Sequence, residues 1–121
     1  MPKKILVIDD EPDLREIVEE ILASAGYQVI TAADGQEGVD KAFASNPDLI
    51  LLDIAMPQMD GFEVLSTLRG RRETATIPVI MLTAKGRTDN ILEAERLRAV
   101  DFLIKPFKAK EILKAVQKNV R

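Results

Sequence analysis

The sequence predicts an α/β fold in which five parallel strands form a doubly wound sheet with helices on both faces. Short apolar runs without polar alternation recur along the chain, which is the pattern of strands buried on both faces of a parallel sheet. Segments with helical periodicity separate these runs, and right-handed crossovers place such helices on both sides of the sheet. The 121 residues suit a single domain, which we expect to span residues 1–121.

The first two strand–helix units are predicted between residues 5 and 47. The first strand covers residues 5–8, and the helix after it carries its apolar residues on one face: Leu14, Ile17, Val18, Ile21, Leu22 and Ala25. Pro12 suits the first turn of that helix, and Gly26 suits its end. The second strand covers residues 29–32. The helix after it can be capped by Asp34, is ended by Asn46-Pro47, and faces inward with Val39, Ala42 and Phe43.

The remaining three units continue the same alternation. Their strands are predicted at residues 49–53, 78–83 and 102–105. Asp60-Gly61 opens the third helix, Thr88 or Asp89 caps the fourth after a loop at residues 85–87, and the last helix covers residues 109–120. The inward residues of the third helix are Phe62, Leu65 and Leu68, and those of the fourth form a thin stripe of Ile91, Ala94 and Leu97. Those of the last helix are Ile112, Leu113, Val116 and Val120. The run from Arg69 to Glu73 is predicted to be an exposed charged turn.

Composition excludes several classes of site. The chain has no cysteine and no histidine, which excludes disulfides, thiolate or imidazole metal ligands, and Ser-His or Cys-His catalytic pairs. The net charge of −3, the lack of a basic block and the low aromatic content argue against direct nucleic-acid binding. No apolar segment is long enough for a signal peptide or a membrane span, so we expect a cytoplasmic protein without membrane contact.

Four of the predicted strands end in polar residues that suit one shared site. Asp9 and Asp10 follow the first strand, and Asp53, Thr83 and Lys105 end the third, fourth and fifth strands. In the flavodoxin-like strand order 2-1-3-4-5, adopted by analogy, the first and third strands flank the crevice where ligands bind. Three carboxylates, a hydroxyl and an ammonium can hold a hard cation such as Mg²⁺ and accept a phosphoryl group.

Each of these residues also has a purely structural interpretation. Asp9 or Asp10 could cap the first helix, and Asp53 could be a turn residue. Lys105 could be a solvated surface lysine, although the three apolar residues before it indicate a buried stem. One cap needs only one acid, so the pair and its expected proximity to Asp53 favour the functional interpretation. Glu11 is expected to be solvated or to interact favourably with the helix N-terminus.

Four motifs coincide with these strand ends. They are Ile-Leu-Val-Ile-Asp-Asp-Glu at 5–11, Leu-Leu-Asp-Ile-Ala-Met-Pro-Gln-Met-Asp-Gly at 51–61, Val-Ile-Met-Leu-Thr-Ala at 79–84 and Phe-Leu-Ile-Lys-Pro-Phe at 102–107. Each motif alone is weak, but all four occur in order and each lies at a strand end. Together they resemble the motifs of response-regulator receiver domains, the CheY-like fold, over essentially the whole chain.

The resemblance implies that Asp53 is the phosphoacceptor. Asp9, Asp10, Asp53 and the backbone carbonyl of Ala55 would hold Mg²⁺, for which Mn²⁺ could substitute. The charges agree with this, because the −3 of the three carboxylates is balanced by +2 from Mg²⁺ and +1 from Lys105. Without the cation, like charges at short range raise carboxylate pKa values. The chain has neither histidine nor a Gly-rich nucleotide loop, so the phosphoryl donor is expected to be another molecule.

The resemblance also implies how a phosphoryl group would be sensed. Thr83 and Ala84 would bind the phosphoryl group and move with it. Lys105 would pair first with the carboxylate and then with the phosphate. Phe102 would be the rotating aromatic that reports the state, and the peptide bond before Pro106 would be cis.

The function implied is a two-component signalling switch rather than an enzyme that turns over outside substrates. A sensor histidine kinase or a histidine phosphotransfer protein would donate the phosphoryl group. The surface of the fourth helix, fifth strand and last helix would then change and signal to a downstream effector protein or to an output domain outside this sequence. A phosphorylation-dependent homodimer is compatible with this scheme.

Two residues before the fifth strand depart from the family pattern. Arg98 stands where the family usually has glycine, and Val100 replaces a usual polar or acidic residue. Because glycine there serves a turn with positive φ, Arg98 predicts a different turn, a longer fourth helix or a strained turn. Beside the site, Ala55 is expected to leave room for an attacking water, and Lys85 could steer anions.

Three other functions are compatible with parts of the sequence. A haloacid-dehalogenase-like phosphatase uses similar groups, but it needs a second aspartate where this chain has Ala55, and it needs a cap domain. A flavodoxin-like cofactor binder is disfavoured because the acidic first loop lacks glycines and would repel flavin phosphate. A degenerate receiver that acts only as a docking module is opposed by the intact residue set alone.

Overall fold

The computed structural model describes residues 2–84 and 88–121, without the side chains of residues 88–90. Strands and helices alternate along these residues: β1 Lys4–Ile8, α1 Pro12–Ser24, β2 Gln28–Ala32, α2 Gly35–Ser45, β3 Leu49–Asp53, α3 Gly61–Arg69, β4 Val79–Ala84, α4 Thr88–Arg96, β5 Asp101–Lys105 and α5 Ala109–Asn119. All the predicted units are present, and each strand end lies within one residue of its prediction. The predicted loop at residues 85–87 lies outside the described residues, so the cap predicted for α4 stays a prediction.

The strands form one parallel sheet in the order β2-β1-β3-β4-β5, which confirms the predicted doubly wound fold. Successive residues of β1 point to opposite faces, so Leu6 and Ile8 join one buried cluster while Ile5 and Val7 join the other. The first cluster includes residues of α2, α3 and α4, and the second includes residues of α1 and α5. Because helices cover both faces, successive residues of a central strand are apolar. Among the described residues, no helix has the length and hydropathy needed to cross a bilayer.

Three helix ends are built as the sequence predicts. The Asp34 carboxylate accepts a hydrogen bond of 2.8 Å from the backbone N–H of Glu37, so Asp34 is the N-cap of α2. Asn46 ends the same helix in a left-handed conformation. Asp60 and Glu63 form a capping box at the start of α3. These caps define the ends of the helices that follow β2 and β3.

The apolar face predicted for α1 is too wide. Val18 and Leu22 are fully buried, but Ile17 is 54% exposed, and Ala25 is exposed beyond the end of the helix. A stripe at every three and four residues is wider than the strip that α1 buries against the sheet. The exposed Ile17 instead lines a surface cavity between α1 and α5.

Gly26 ends α1 in a Schellman motif. Its φ is +95°, its N–H donates to the Ala23 carbonyl at 3.0 Å, and the N–H of Tyr27 donates to the Leu22 carbonyl at 3.1 Å. The motif needs a residue in the left-handed region, which glycine enters without a steric penalty. The prediction that Gly26 suits the end of this helix is therefore confirmed.

The turn after α4 repeats this motif without a glycine. Arg98 has a φ of +65° and donates its N–H to the Glu95 carbonyl at 3.0 Å, and Ala99 donates to the Ala94 carbonyl at 2.9 Å. A residue with a Cβ is strained in this conformation. Of the three outcomes predicted for Arg98, the strained turn is the one that the chain adopts.

The segment after α3 includes a buried contact that the sequence does not predict. Arg69 is half-buried, and its guanidinium donates to the carbonyls of Ala75 at 3.1 Å, Ile77 at 2.8 Å and Arg98 at 3.0 Å. Burial lowers the pKa of Arg69, and the charge of Arg98 lowers it further. Residues 70–73 are exposed, so the predicted charged turn is right for them and wrong for Arg69.

Candidate functional site

Four strand ends meet at one edge of the sheet. β1 and β3 pair up to their carboxyl ends, so Asp9 and Asp53 leave the sheet side by side. On the other side of β3, Asp53 pairs with Leu82 of β4, and Ala84 of β4 pairs with Lys105 of β5. Parallel strands bring their carboxyl ends to the same edge, and the polar residues therefore surround one crevice.

Three carboxylates cluster in this crevice. Asp9, Asp10 and Asp53 each offer a carboxylate oxygen, and these oxygens lie within 4.8 Å of one another. Asp9 and Asp53 are buried and Asp10 is half-buried. Like charges at this separation repel strongly where water is excluded, so either a cation or a bound proton stabilises the cluster.

Lys105 supplies positive charge to the cluster. Its Nζ lies 3.1 Å from an Asp9 oxygen, 3.3 Å from an Asp53 oxygen and 3.2 Å from a Glu11 oxygen. Its side chain is only 21% exposed, which agrees with the buried stem expected from the apolar residues before it. One ammonium thus serves several carboxylates at once.

The pKa shifts describe an excess of negative charge. Burial raises the pKa of Asp53 to about 6, the carboxylate of Asp9 adds to the rise, and Lys105 opposes it. Burial also raises the pKa of Asp9, against hydrogen bonds from the backbone N–H of Glu11 and from Lys105. Burial alone would lower the pKa of Lys105, but the hydrogen bond to Asp9 and the charges of Asp53 and Asp9 raise it to about 12.

Backbone contacts hold the acids in place. The other Asp9 oxygen accepts a hydrogen bond of 2.9 Å from the backbone N–H of Glu11, and the Asp9 carbonyl accepts one of 2.6 Å from Arg15. Glu11, not Asp9 or Asp10, is the N-cap residue of α1, and its side chain makes no cap hydrogen bond. Helix capping therefore does not explain the pair of aspartates.

Gly61 lets the start of α3 pass directly over the end of β3. Its N–H donates to the Ile54 carbonyl at 2.8 Å. A Cβ at Gly61 would overlap the Asp53 carbonyl oxygen and lie 2.7 Å from the Ile54 Cα. Glycine is required at this close approach because a side chain would push α3 away from the backbone that carries Asp53.

Two cavities open at this edge of the sheet. The first, called the acidic cavity below, has a volume of about 390 Å³, and Asp53, Thr83 and Lys105 contribute to its walls. The second, called the apolar groove, has a volume of about 430 Å³, and its apolar walls are formed mainly by Leu14, Ile17, Ile21, Phe107 and Ile112. Glu11, Ala84 and Lys105 line both cavities.

The other residues predicted for the site lie around the acidic cavity or behind it. Thr83 is buried, and its hydroxyl donates to the Ala84 carbonyl over a long 3.4 Å. Ala55 is exposed and lines the acidic cavity. Phe102 is half-buried and packs against the core cluster that includes α2, α3 and α4. The Lys105–Pro106 peptide bond is cis.

Glu11 belongs to the site, and the sequence interpretation as a solvated or helix-terminal acid missed its contact with Lys105. Its side chain is 63% exposed, yet its carboxylate reaches Lys105 across 94 positions of sequence. The signal was a third consecutive acid after the first strand, which one helix terminus does not need.

The donor set fits a hard divalent cation. Asp9, Asp10 and Asp53 provide carboxylate oxygens at close range, and Mg²⁺ prefers oxygen ligands. Two of the three acids are buried, and burial together with mutual repulsion raises the pKa of Asp53. A divalent cation would offset both the burial of these charges and their mutual repulsion, whereas the single charge of Lys105 does not.

The family pattern described as response regulator receiver domain matches residues 5–117. The chain belongs to this family. A curated relative, the alkaline phosphatase synthesis transcriptional regulatory protein PhoP of Bacillus subtilis, is 43% identical over 122 residues, which cover 100% of this chain and 50% of PhoP. This receiver spans about half the length of the curated relatives it matches.

Solved structures resemble this receiver over nearly its whole length. The chemotaxis protein CheY4 of Vibrio cholerae is 35% identical with a TM-score of 0.94, and the match covers 99% of this chain and 100% of CheY4. The receiver domain of sensor histidine kinase PA1611 from Pseudomonas aeruginosa PAO1 is 30% identical with a TM-score of 0.90 over 98% of each chain. That structure has a magnesium ion coordinated in its active site cleft.

The family predicted from the four motifs is confirmed, and with it the flavodoxin-like fold. This receiver is a two-component signalling module of the response-regulator type. The family assignment places the chain in a class of signalling proteins.

Proposed function

We propose that Asp53 accepts a phosphoryl group and thereby switches the surface of this receiver. The observation that carries the proposal is the position of the Asp53 carboxylate. It is buried at the end of β3, faces the acidic cavity, belongs to the cluster of metal donors and lies 3.3 Å from Lys105. A carboxylate in this setting has its charge compensated on one side and a space for a phosphoryl group on the other.

The phosphoryl donor is a phosphohistidine on a partner, because this chain contains no histidine. An Asp53 oxygen attacks phosphorus, the bond between phosphorus and the imidazole nitrogen breaks, and the nitrogen keeps the electron pair. The other ring nitrogen of the phosphohistidine carries a proton, so the leaving imidazole is neutral, and the products are an aspartyl phosphate and a histidine on a sensor histidine kinase or a histidine phosphotransfer protein. Such a transfer needs mainly positioning and neutralisation of charge, and aspartate is an established covalent acceptor.

Asp9, Asp10, Asp53 and the Ala55 carbonyl would hold Mg²⁺, and Mn²⁺ could substitute. Asp9, Asp10 and Asp53 supply oxygens at suitable spacing, and the related PA1611 receiver contains magnesium in its cleft. The bound ion would supply +2, which with the +1 of Lys105 balances the −3 of the three aspartates. Lys105 would pair first with the Asp53 carboxylate, which its Nζ already contacts, and then with a phosphoryl oxygen.

Thr83 and Phe102 would convert the new charge into a surface change. In the described part of the chain, the Thr83 hydroxyl makes one long hydrogen bond, to the Ala84 carbonyl, so a phosphoryl oxygen is a better acceptor. Movement of Thr83 and Ala84 toward the phosphoryl group would free space for Phe102, which is half-buried on the neighbouring strand. The surface of α4, β5 and α5 is then the output, and the event is local electrostatics acting on a bistable element.

Downstream, the switched surface would act on an effector protein or on an output domain outside residues 1–121, which we propose as the bounds of the receiver domain. A phosphorylation-dependent homodimer is one form that this output can take. Exchange with a histidine kinase also implies a cytoplasmic location. The receiver takes part in its own phosphorylation and dephosphorylation and does not turn over outside substrates.

Intact mass spectrometry after incubation with acetyl phosphate and Mg²⁺ tests the proposal. We expect the mass of one phosphoryl group to be added to the wild type and to Asp40→Asn, which removes an exposed acid of α2 that lines neither the acidic cavity nor the apolar groove. Asp53→Asn and a sample with EDTA should gain nothing. An adduct that survives in Asp53→Asn would refute the acceptor assignment. No adduct in folded wild type with bound Mg²⁺ would favour a docking module instead.

A further inference from the structure

Glu11 occupies the entrance between the acidic cavity and the apolar groove, since it lines both. Its backbone is fixed, because its N–H donates to Asp9 and its carbonyl accepts the N–H of Arg15 at 3.1 Å. Its side chain is 63% exposed, and within residues 2–84 and 91–121 its carboxylate pairs with Lys105 alone. The carboxylate is therefore fixed at its backbone and held at its tip by the ion pair with Lys105.

Glu11 changes the charge that an incoming phosphodonor meets. With Mg²⁺ in place, the aspartates Asp9, Asp10 and Asp53 and the ammonium of Lys105 leave the proposed site neutral, as counted above. Glu11 contacts the same ammonium and adds one negative charge, so Mg²⁺, Lys105 and the four carboxylates together carry a net negative charge. It also draws Lys105 away from Asp53, because one Nζ is divided among three carboxylates at 3.1 to 3.3 Å.

We propose that Glu11 is a specificity-determining residue that slows phosphorylation of Asp53 by free anionic phosphodonors. The inference rests on the proposed acceptor role of Asp53. A small dianion that enters the acidic cavity must pass the Glu11 carboxylate. A protein donor covers the entrance when it docks and turns the exposed Glu11 side chain outward, so that Lys105 is released to the phosphoryl group. Glu11 thereby favours phosphoryl transfer from a docked protein over transfer from the small-molecule pool.

The expected effect follows from one charge near the path of the donor. Removal of a single partly solvated charge changes the encounter and binding of a dianion by about three- to tenfold. The effect should be larger for acetyl phosphate, a dianion at neutral pH, than for phosphoramidate, which is mainly a monoanion. It should also shrink at high ionic strength, because the screening length falls from about 10 Å at 0.1 M salt to about 3 Å at 1 M.

Phosphorylation rates of Glu11→Gln test this, followed by intact mass with each donor at low and high salt. Asp13→Asn is the matched control, because it removes the same charge two positions away on the exposed start of α1. Among the described residues, Asp13 makes no side-chain hydrogen bond or ion pair, and it lines neither cavity. Calorimetric titration with Mg²⁺ adds a second readout, in which loss of a nearby negative charge should weaken binding a few-fold.

Glu11→Gln should thus accept acetyl phosphate about three- to tenfold faster at low salt while it binds Mg²⁺ more weakly, and Asp13→Asn should match the wild type. A purely structural role for Glu11 would slow phosphorylation and weaken Mg²⁺ binding together. The inference is overturned if Glu11→Gln is no faster than the wild type, if both donors gain equally, or if Asp13→Asn gains as much. A wild type that accepts no phosphoryl group overturns the proposed function instead, and the role of Glu11 falls with it.

Discussion

We expect Arg98→Gly to raise the free energy of unfolding by about 0.5–1 kcal/mol. Arg98 has a φ of +65° in the turn after α4, and this conformation costs a residue with a Cβ about 1–2 kcal/mol. Arg98→Gly removes this strain, but glycine has more backbone freedom in the unfolded chain, which offsets about 0.5–1 kcal/mol of the stabilisation. The Arg98 side chain is exposed, and its charge is unfavourable beside Arg69, so its loss removes little stabilisation.

Thermal melts by circular dichroism measure this change. For 121 residues, an unfolding entropy of about 2.1 cal/mol/K per residue converts it to a rise in melting temperature of about 2–4 °C. Arg98→Ala is the matched control, because it removes the same side chain and charge but keeps a Cβ in the left-handed region. Gly26→Ala is the reciprocal test. No heavy atom lies within 4 Å of its new Cβ, so its expected loss of about 1 kcal/mol comes from the conformation alone.

The comparison of the two Arg98 variants decides the argument. Arg98→Gly should be more stable than Arg98→Ala by about 1 kcal/mol. Equal melting temperatures for the glycine and alanine variants would refute strain as the cause. A glycine variant less stable than the wild type would show that contacts of the Arg98 side chain outweigh the strain in its backbone.

Three further predictions concern the site. Burial raises the pKa of Asp53 from 3.8 to about 6. The metal-free folded protein therefore holds a proton on Asp53 more tightly than the unfolded chain does. The free energy of unfolding consequently falls as the pH rises from about 4 to about 6. Asp53→Asn should lose this dependence on pH, and its free energy of unfolding at pH 8, from melts with EDTA, should exceed that of the wild type by about 2–3 kcal/mol. Parallel pH profiles of the two proteins would contradict the reasoning. Mg²⁺ should raise the melting temperature of the wild type at pH 8 but raise that of Asp10→Asn much less, and equal shifts would remove Asp10 from the ligand set. Gly61→Ala should lower the free energy of unfolding by more than about 2 kcal/mol, because its Cβ would lie 2.7 Å from the Ile54 Cα. The control Gly70→Ala, with no contact closer than 3.5 Å, should change the urea midpoint little. Similar losses in the two variants would argue against the close approach at Gly61.

The strands and caps could be predicted because their causes are local. Every residue of Leu49–Asp53 is buried, so the strand is an uninterrupted apolar run that ends in one acid. The caps at Asp34 and Asp60 each bind an N–H only three residues ahead. The meeting of Asp53 with Lys105 spans 52 positions, and it could be predicted only because parallel strands bring their carboxyl ends to one edge.

Contacts made by long side chains over large sequence distances could not be predicted. The third consecutive acid, Glu11, indicates a role beyond the helix start, but its neighbours in sequence do not identify Lys105 as its partner. At Arg98 the sequence predicts three alternative conformations, because the residue itself does not select one of them. The Val100 N–H donates a hydrogen bond to the Val79 carbonyl at 2.9 Å, and this contact fixes where β5 begins. The connection from α4 must therefore turn at residue 98, whichever side chain stands there.

The hydrogen bonds of Arg69 have a consequence for exchanging segments between receivers. Its guanidinium joins the carbonyls of Ala75 and Ile77, before β4, to the carbonyl of Arg98, after α4. These segments are separate in sequence but are held by one side chain, so they form a single unit for transplantation. A chimera that imports the turn at residue 98 with a differently placed carbonyl would leave part of a half-buried guanidinium without an acceptor. Donor and recipient should therefore be matched at residues 69–77 and 98 together, even where the imported surface is only that of α4.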